Sequence, residues 1–306
     1  MNQMNLVIDS SSCHLGAKYN GNTMILRSWD RVRPRCLADL SCLLLLVVFV
    51  PVAYVFHMTL VLPELFGVGG FWYTVIWVAA QFIIFNITAN MLACMLVDTT
   101  IRMELLKPPL DPDLRARWHM CNECQALVPP RSWHCEVCGV CVLKRDHHCR
   151  FTCCCIGHHN YRYFIYFLLY LMIGSFVASI LGGIYLWKVH FDFYWRPFTL
   201  ITVFAPAVSL ALSPCWESFY LLTYLLTWLA FAISSLLLVY HWPIFQLGSV
   251  AKERRSRNYD RGLRANMEMI FGKRMHLTWL SPFVRSELPH DGINWEPVAT
   301  HLTKED

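Results

Sequence analysis

Apolar residues in this chain neither alternate as in a half-buried strand nor form a single stripe as on a surface helix. They come in four long runs: about Leu40–Val61, Phe71–Val97, Tyr163–Trp187 and Tyr220–Tyr240. Each reaches or exceeds the roughly 20 residues a helix needs to cross the hydrocarbon core of a bilayer. The pattern predicts an α-helical polytopic membrane protein with four transmembrane helices. The first run begins too far from Met1, and is too long, to be a cleaved signal peptide. Pro51 interrupts it, and a spanning helix tolerates such a kink.

A further apolar segment, Pro197–Ser213, is short and contains Pro206. It is either a fifth span or a hydrophobic loop. Charge separates the two. With four spans, 24 of the 26 Lys and Arg residues fall on one side, and that side is cytosolic by the positive-inside rule. A fifth span would carry the ten basic residues of the tail across, so a re-entrant or surface-lying loop is expected. The expected organisation is a cytosolic N-terminal segment over 1–39, helices one and two over 40–97, and a cytosolic cysteine-rich domain over 98–162. Helices three and four, with a hydrophobic luminal loop, cover 163–240, and a cytosolic tail covers 241–306.

Composition agrees. Of the 306 residues, 56% are hydrophobic and 15% charged, whereas soluble domains are nearer half and a quarter. The formal net charge of +5 is modest. Its concentration on one side suits anionic headgroups or the phosphates of a soluble substrate; nucleic acid is not an expected partner.

Nine of the fourteen cysteines lie between Cys121 and Cys155. The loop reads Cys121-x2-Cys124-x9-His134-Cys135-x2-Cys138-x2-Cys141-x4-Asp146-His147-His148-Cys149-x5-Cys155-x4-Asn160-x3-Phe164. On a cytosolic loop, reducing conditions favour metal binding and catalysis over disulfides. Two-residue gaps at Cys121/Cys124 and Cys135/Cys138 are zinc knuckles, because such a gap turns two thiolates toward one tetrahedral ion. The nearby ligands are Cys121, Cys124, His134, Cys135, Cys138, Cys141, His148 and Cys155. Eight ligands fill two closed sites, which makes two structural Zn2+ the expected cofactors. Spacing alone leaves their division open. Asp146, His147 and Cys149 remain together. A thiol beside an imidazole held by a carboxylate reads as a nucleophile, its base and an orienting group; the plainer alternative makes Cys149 another ligand.

This spacing resembles that of the DHHC-type zinc-finger protein S-acyltransferases (palmitoyltransferases). The tail sequence Tyr259-Asp260-x-Gly262-x3-Asn266…Phe271-Gly272 is similar to that family's C-terminal segment. The resemblance implies Cys149 as acylated nucleophile, His147 as its base and Asp146 as the group that orients His147. It implies one zinc on Cys121, Cys124, His134 and Cys141, and another on Cys135, Cys138, His148 and Cys155. Asn266 resembles a buttressing tail residue. The implied activity is transfer of a long-chain acyl group, palmitoyl above all, from acyl-CoA to cysteines of membrane-associated proteins, in endoplasmic reticulum or Golgi membranes. Lys144, Arg145 and Arg150 are candidate contacts for CoA phosphates. The competing expectation is a catalytically inactive zinc-finger membrane adaptor.

The chain departs from the family pattern at Arg150-Phe151, where Pro-Trp is usual, and at Cys153-Cys154, which precede the last ligand. The motif after the fourth span is reduced to Val250-Ala251-Lys252-Glu253, keeping only Glu. Asp111-Pro112-Asp113 stands where Asp-Pro-Gly is usual. The extra thiols either fill space, accept an acyl group or compete for zinc.

Overall fold

The structure is a computed structural model, describing residues 25–103, 106–191, 203–212, 216–253 and 256–298. Among the described residues four helices are long and apolar enough to cross a membrane: Leu37–Phe66, Phe71–Leu96, Tyr161–Val189 and Trp216–Gln246. Three of the four overrun the apolar runs at both ends. Hydrogen bonding along a helix does not stop where hydrocarbon stops, and Tyr161, Trp187, Trp216 and Trp242 extend it through the zone where amphipathic rings settle. The first is α-helical over Leu37–Phe56, makes one π-helical turn over His57–Val61, and resumes over Leu62–Phe66. Part of the expected re-entrant segment falls outside the described residues. Its described part is the helix Pro206–Leu212, at seven residues too short to span.

The chain forms two compact units. One comprises Leu45–Thr88 and Phe167–Leu238, the inner lengths of the spans. Its outward side chains, such as Leu45, Val48, Val78 and Leu236, are exposed apolar groups, as lipid requires. Inside, Phe56, Val61 and Tyr185 form a core with Phe219 and Tyr220 packed on it. Polar ties cross between helices: Ser179 donates to Thr227 Oγ1 at 3.1 Å, and His57 Nε2 lies 2.9 Å from the Ala178 carbonyl. A Cβ on Gly174 would stand 2.9 Å from Ile83, so this glycine lets two helices close up.

The other unit joins the described residues from 25 to Leu44, those within Ala89–Tyr166, and those from Val239 to 298. It holds three antiparallel hairpins of three-residue strands: β1 (His119–Cys121) with β2 (Ala126–Val128), β3 (Trp133–Cys135) with β4 (Val140–Val142), and β5 (His147–Cys149) with β6 (Cys154–Ile156). Two-stranded ribbons this short are not stable alone. Much of what is buried around them is sulfur: Cys121, Cys135, Cys141 and Cys155 are all at most 8% exposed. The tail helix Leu263–Phe271 follows Gly262 and ends at Gly272.

Candidate active site and metal centres

Strand alternation builds this site. Successive residues of a strand face opposite ways, and residues two apart share a face. On β3, His134 and Cys135 therefore diverge. His134 sits across from Cys141 on β4 and turns to the Cys121/Cys124 knuckle. Cys135 turns the other way and opens the second knuckle with Cys138. On β5 the same rule sends His148 to its cross-strand neighbour Cys155, while His147 and Cys149 share the opposite face. Each metal group thus combines one knuckle with one cross-strand His–Cys pair.

The ligand atoms fit zinc. In the first group His134 Nδ1 lies 3.8, 3.3 and 3.9 Å from the sulfurs of Cys121, Cys124 and Cys141. In the second, His148 Nδ1 lies 3.7, 3.2 and 3.8 Å from those of Cys135, Cys138 and Cys155. A tetrahedron built on Zn–S and Zn–N bonds of about 2.3 and 2.0 Å has edges of roughly 3.5–3.8 Å. Each knuckle is closed by an amide, Cys124 N–H to Cys121 Sγ and Cys138 N–H to Cys135 Sγ, both at 3.4 Å. Asp39, fully buried, places its carboxylate 3.3 Å from His148 Nε2, and this fixes the ring with Nδ1 toward the thiols.

On the free face of β5, His147 Nδ1–H donates to Asp146 Oδ2 at 2.7 Å. That leaves Nε2 free to serve the Cys149 thiol on the same face. Burial opposes charge on His147, but Asp146 and Cys149 raise it to about 9. Burial likewise opposes the Asp146 carboxylate, yet the His147 bond, the nearby His241 and the Ala251 amide hold it below the ordinary range. Cys149 is 6% exposed, buried as a residue beside the imidazole.

Two partners of Asp146 lie far away in sequence. The Ala251 amide donates to Oδ1 at 2.7 Å, and His241 Nδ1 stands 3.8 Å from Oδ2. His241 comes from the fourth span, is 2% exposed, and lies 2.8 Å from the Tyr161 hydroxyl. The sequence reading passed over it. The signal was a lone imidazole in an apolar helix, which by default marks function.

The reduced motif after the fourth span docks by its backbone and its one acid. Arg131 Nε donates to Glu253 Oε2 at 3.0 Å and Nη2 to the Gly248 carbonyl at 2.7 Å. The guanidinium is held between the rings of Tyr259 and Trp295, 4.2 and 4.4 Å from their centroids. Asn266 donates to the Gln246 carbonyl and to Asp260, and accepts from the Arg261 amide. It thereby ties the tail helix to the end of the fourth span.

Of the three expected CoA contacts only Arg150 is exposed. Lys144 is buried with its ammonium 5.3 Å from the Trp295 centroid. Arg145 lies against the Cys135 and Cys155 thiols. The extra thiols Cys153 and Cys154 are each 1% exposed and donate to the carbonyls of Asp39 and Cys94. Neither belongs to a metal group.

Residues 115–258 match the DHHC palmitoyltransferase family model. A mouse relative named probable palmitoyltransferase ZDHHC24 is 31% identical over 230 residues, 71% of this chain and 76% of the relative. The chain belongs to the DHHC family. The human protein of the same name is 33% identical over 229 residues, covering 72% of this chain and 78% of that one. An Arabidopsis thaliana protein named probable protein S-acyltransferase 12 is 32% identical over 169 residues, 53% of each. For a DHHC chain, the hairpin geometry gives a physical reason for the interleaved ligand order.

Proposed function

We propose that this protein is a protein S-acyltransferase that moves a long-chain acyl group, palmitoyl foremost, from acyl-CoA through a thioester on Cys149 to cysteines of membrane-associated proteins. The observation that carries the reading is the shared face of His147 and Cys149 with Asp146 bonded behind the imidazole. His147 Nε2 takes the Cys149 proton. The thiolate attacks the thioester carbonyl of acyl-CoA, the C–S bond to CoA breaks, and the proton goes from His147 to the departing CoA thiolate. His147 then takes the proton of a substrate cysteine. That thiolate attacks acyl-Cys149, and the proton returns to the Cys149 sulfur. Covalent exchange of this kind gives ping-pong kinetics. Zinc held by Cys121, Cys124, His134 and Cys141, and by Cys135, Cys138, His148 and Cys155, would fix β3 to β6 in register behind these residues.

The membrane unit supports an acyl substrate. It contains an open-sided pocket of about 310 Å3 whose lining is almost wholly apolar, including Val50, Ile83, Ile87, Leu171, Gly174 and Ala178. Such a space fits a hydrocarbon chain. Arg150 is the first choice for the CoA phosphates, with Arg145 and Lys144 already engaged elsewhere. The reading places the loop on the cytosolic face of endoplasmic reticulum or Golgi membranes, which the lopsided Lys and Arg distribution supports for the face. The inactive adaptor is not favoured, since the relatives are named palmitoyltransferases or S-acyltransferases.

The test is a chase. Protein charged with alkyne-palmitoyl-CoA, freed of the donor and mixed with a membrane-tethered cysteine peptide should pass its label to the peptide. Label that stays on the enzyme, or reaches the peptide only when donor is present, would overturn the two-step reading.

A pH dependence follows from His147. Its charged form is favoured by the fold, so that stabilisation is complete below about 6.5 and is lost as pH rises through about 9. Above about 9 the imidazolium that returns a proton to the departing CoA sulfur is lost, so acyl-enzyme formation should fall on the alkaline side, with a break near pH 9. In Asp146→Asn the break should move to lower pH, because the carboxylate is one cause of the raised value. Rapid-quench labelling across pH 6–10 reads both.

A further inference from the structure

We propose that the pocket framed by Arg27, Arg31, Arg33 and Arg35 binds an anion carrying clustered phosphates. The four guanidinium-bearing residues come from nine consecutive positions just ahead of Leu37, where the first span begins. They border one pocket of about 250 Å3, lined as well by Thr100, Val140, Val142 and Cys153.

The backbone that presents them is fixed at both ends. The Arg27 amide donates to the Leu96 carbonyl at 2.7 Å, and the Asp98 amide to the Ile25 carbonyl at 2.8 Å. At the other end the Arg35 amide donates to Asp39 Oδ2 at 3.3 Å. A site held this way loses little freedom on binding.

Its charge is unbalanced. Arg27 is 8% exposed and pairs with Asp98 at 3.8 Å, which offsets one guanidinium. Arg31, Arg33 and Arg35 are exposed, and among the described residues no carboxylate pairs with their side chains. The stretch carries one acid of its own, Asp30 beside Arg31, against four arginines, and Asp39 beyond it has turned its carboxylate to His148. Cys138 and Cys155 of the second metal group also border the pocket, but Arg145 already stands against the thiols of that group. Three unpaired guanidiniums converging on one hollow repel each other. They also present planar forks that match phosphate oxygens two at a time. A single phosphate would satisfy one fork; adjacent phosphates on one ring or chain satisfy several.

Two sources share this chemistry. One is the headgroup of a polyphosphorylated inositol lipid, reached because basic clusters immediately before a span lie at headgroup depth. The other is a soluble polyphosphate. The experiment uses the full zinc-loaded chain in phosphatidylcholine nanodiscs. Binding of phosphatidylinositol 4,5-bisphosphate, phosphatidylserine and free inositol 1,4,5-trisphosphate is measured at 150 mM salt. The bisphosphate lipid should bind in preference to phosphatidylserine. Arg31→Gln/Arg33→Gln/Arg35→Gln should weaken it by on the order of a hundredfold, with two zinc ions and the melting temperature retained. Free trisphosphate binding as tightly as the lipid would make the source soluble; binding at least about tenfold weaker would make it the membrane. Equal binding by the triple variant, or no preference over phosphatidylserine, would overturn the site. None of these readouts depends on acyl transfer.

Discussion

Cys149→Ser protein folds, holds two zinc ions and takes up no hydroxylamine-labile label from alkyne-palmitoyl-CoA. That is the expected result, and it isolates the nucleophile from the scaffold. Cys149 belongs to neither metal group, so replacing sulfur by oxygen leaves both ligand sets intact. A serine hydroxyl is not ionised by an imidazole as a thiol is, and any ester it formed would resist neutral hydroxylamine. His147→Ala should keep the thiol and lose about 10²–10⁴-fold in the rate of labelling, the usual span for removing a positioned base. Two measurements settle it: metal analysis of the purified variants, and in-gel fluorescence with and without hydroxylamine. Full labelling of Cys149→Ser would move the nucleophile elsewhere. Among the cysteines around it, Cys153 and Cys154 are closed off from solvent.

The second large effect is on the metal groups. His148→Ala should lose zinc from the second group and take the catalytic face with it. The reason is local. His148 sits between His147 and Cys149 on a three-residue strand, and its cross-strand partner Cys155 is a ligand of the same group. Without the metal, nothing in so short a ribbon holds His147 and Cys149 on one face. Structural zinc contributes apparent free energies on the order of 10 kcal/mol or more in small zinc-folded peptides, far beyond the stability that packing of these strands supplies. The variant is expected to show zinc falling from two ions per chain to one or none, a lower melting temperature, and no acyl-enzyme. Retention of two ions with full labelling would mean that His148 is not a ligand. Cys121→Ser is the companion test. It strikes the first group, and because His134 and Cys135 are consecutive on β3, it should weaken the second as well.

The spans, the ligand inventory and the Asp–His–Cys run were legible in the sequence because each is a matter of run length, count or adjacency. The division of ligands between the two groups was not. It depends on which way His134 and Cys135 point, and three-residue strands leave no periodicity to read. His241 was obscured by its setting, one imidazole in a long apolar helix, 92 residues beyond Cys149. Arg131 carries no sequence signal of its own; the fold shows it held between Tyr259 and Trp295. One departure in the tail leaves its contact in place. At Ala251 the contact to Asp146 is made by a main-chain amide, which any residue but proline supplies.

That amide also sets an order of events. The cysteine-rich loop is synthesised about a hundred residues before Ala251 and before the fourth span that carries His241. Its ligands can gather zinc as soon as they emerge. The Asp146 carboxylate behind His147, however, lacks two of its partners until the chain has crossed the membrane a last time and threaded back. On the proposed mechanism, a chain that stops short of Ala251 would carry its zinc ligands but an unfinished catalyst, so acylation competence arrives only once the start of the tail is in place.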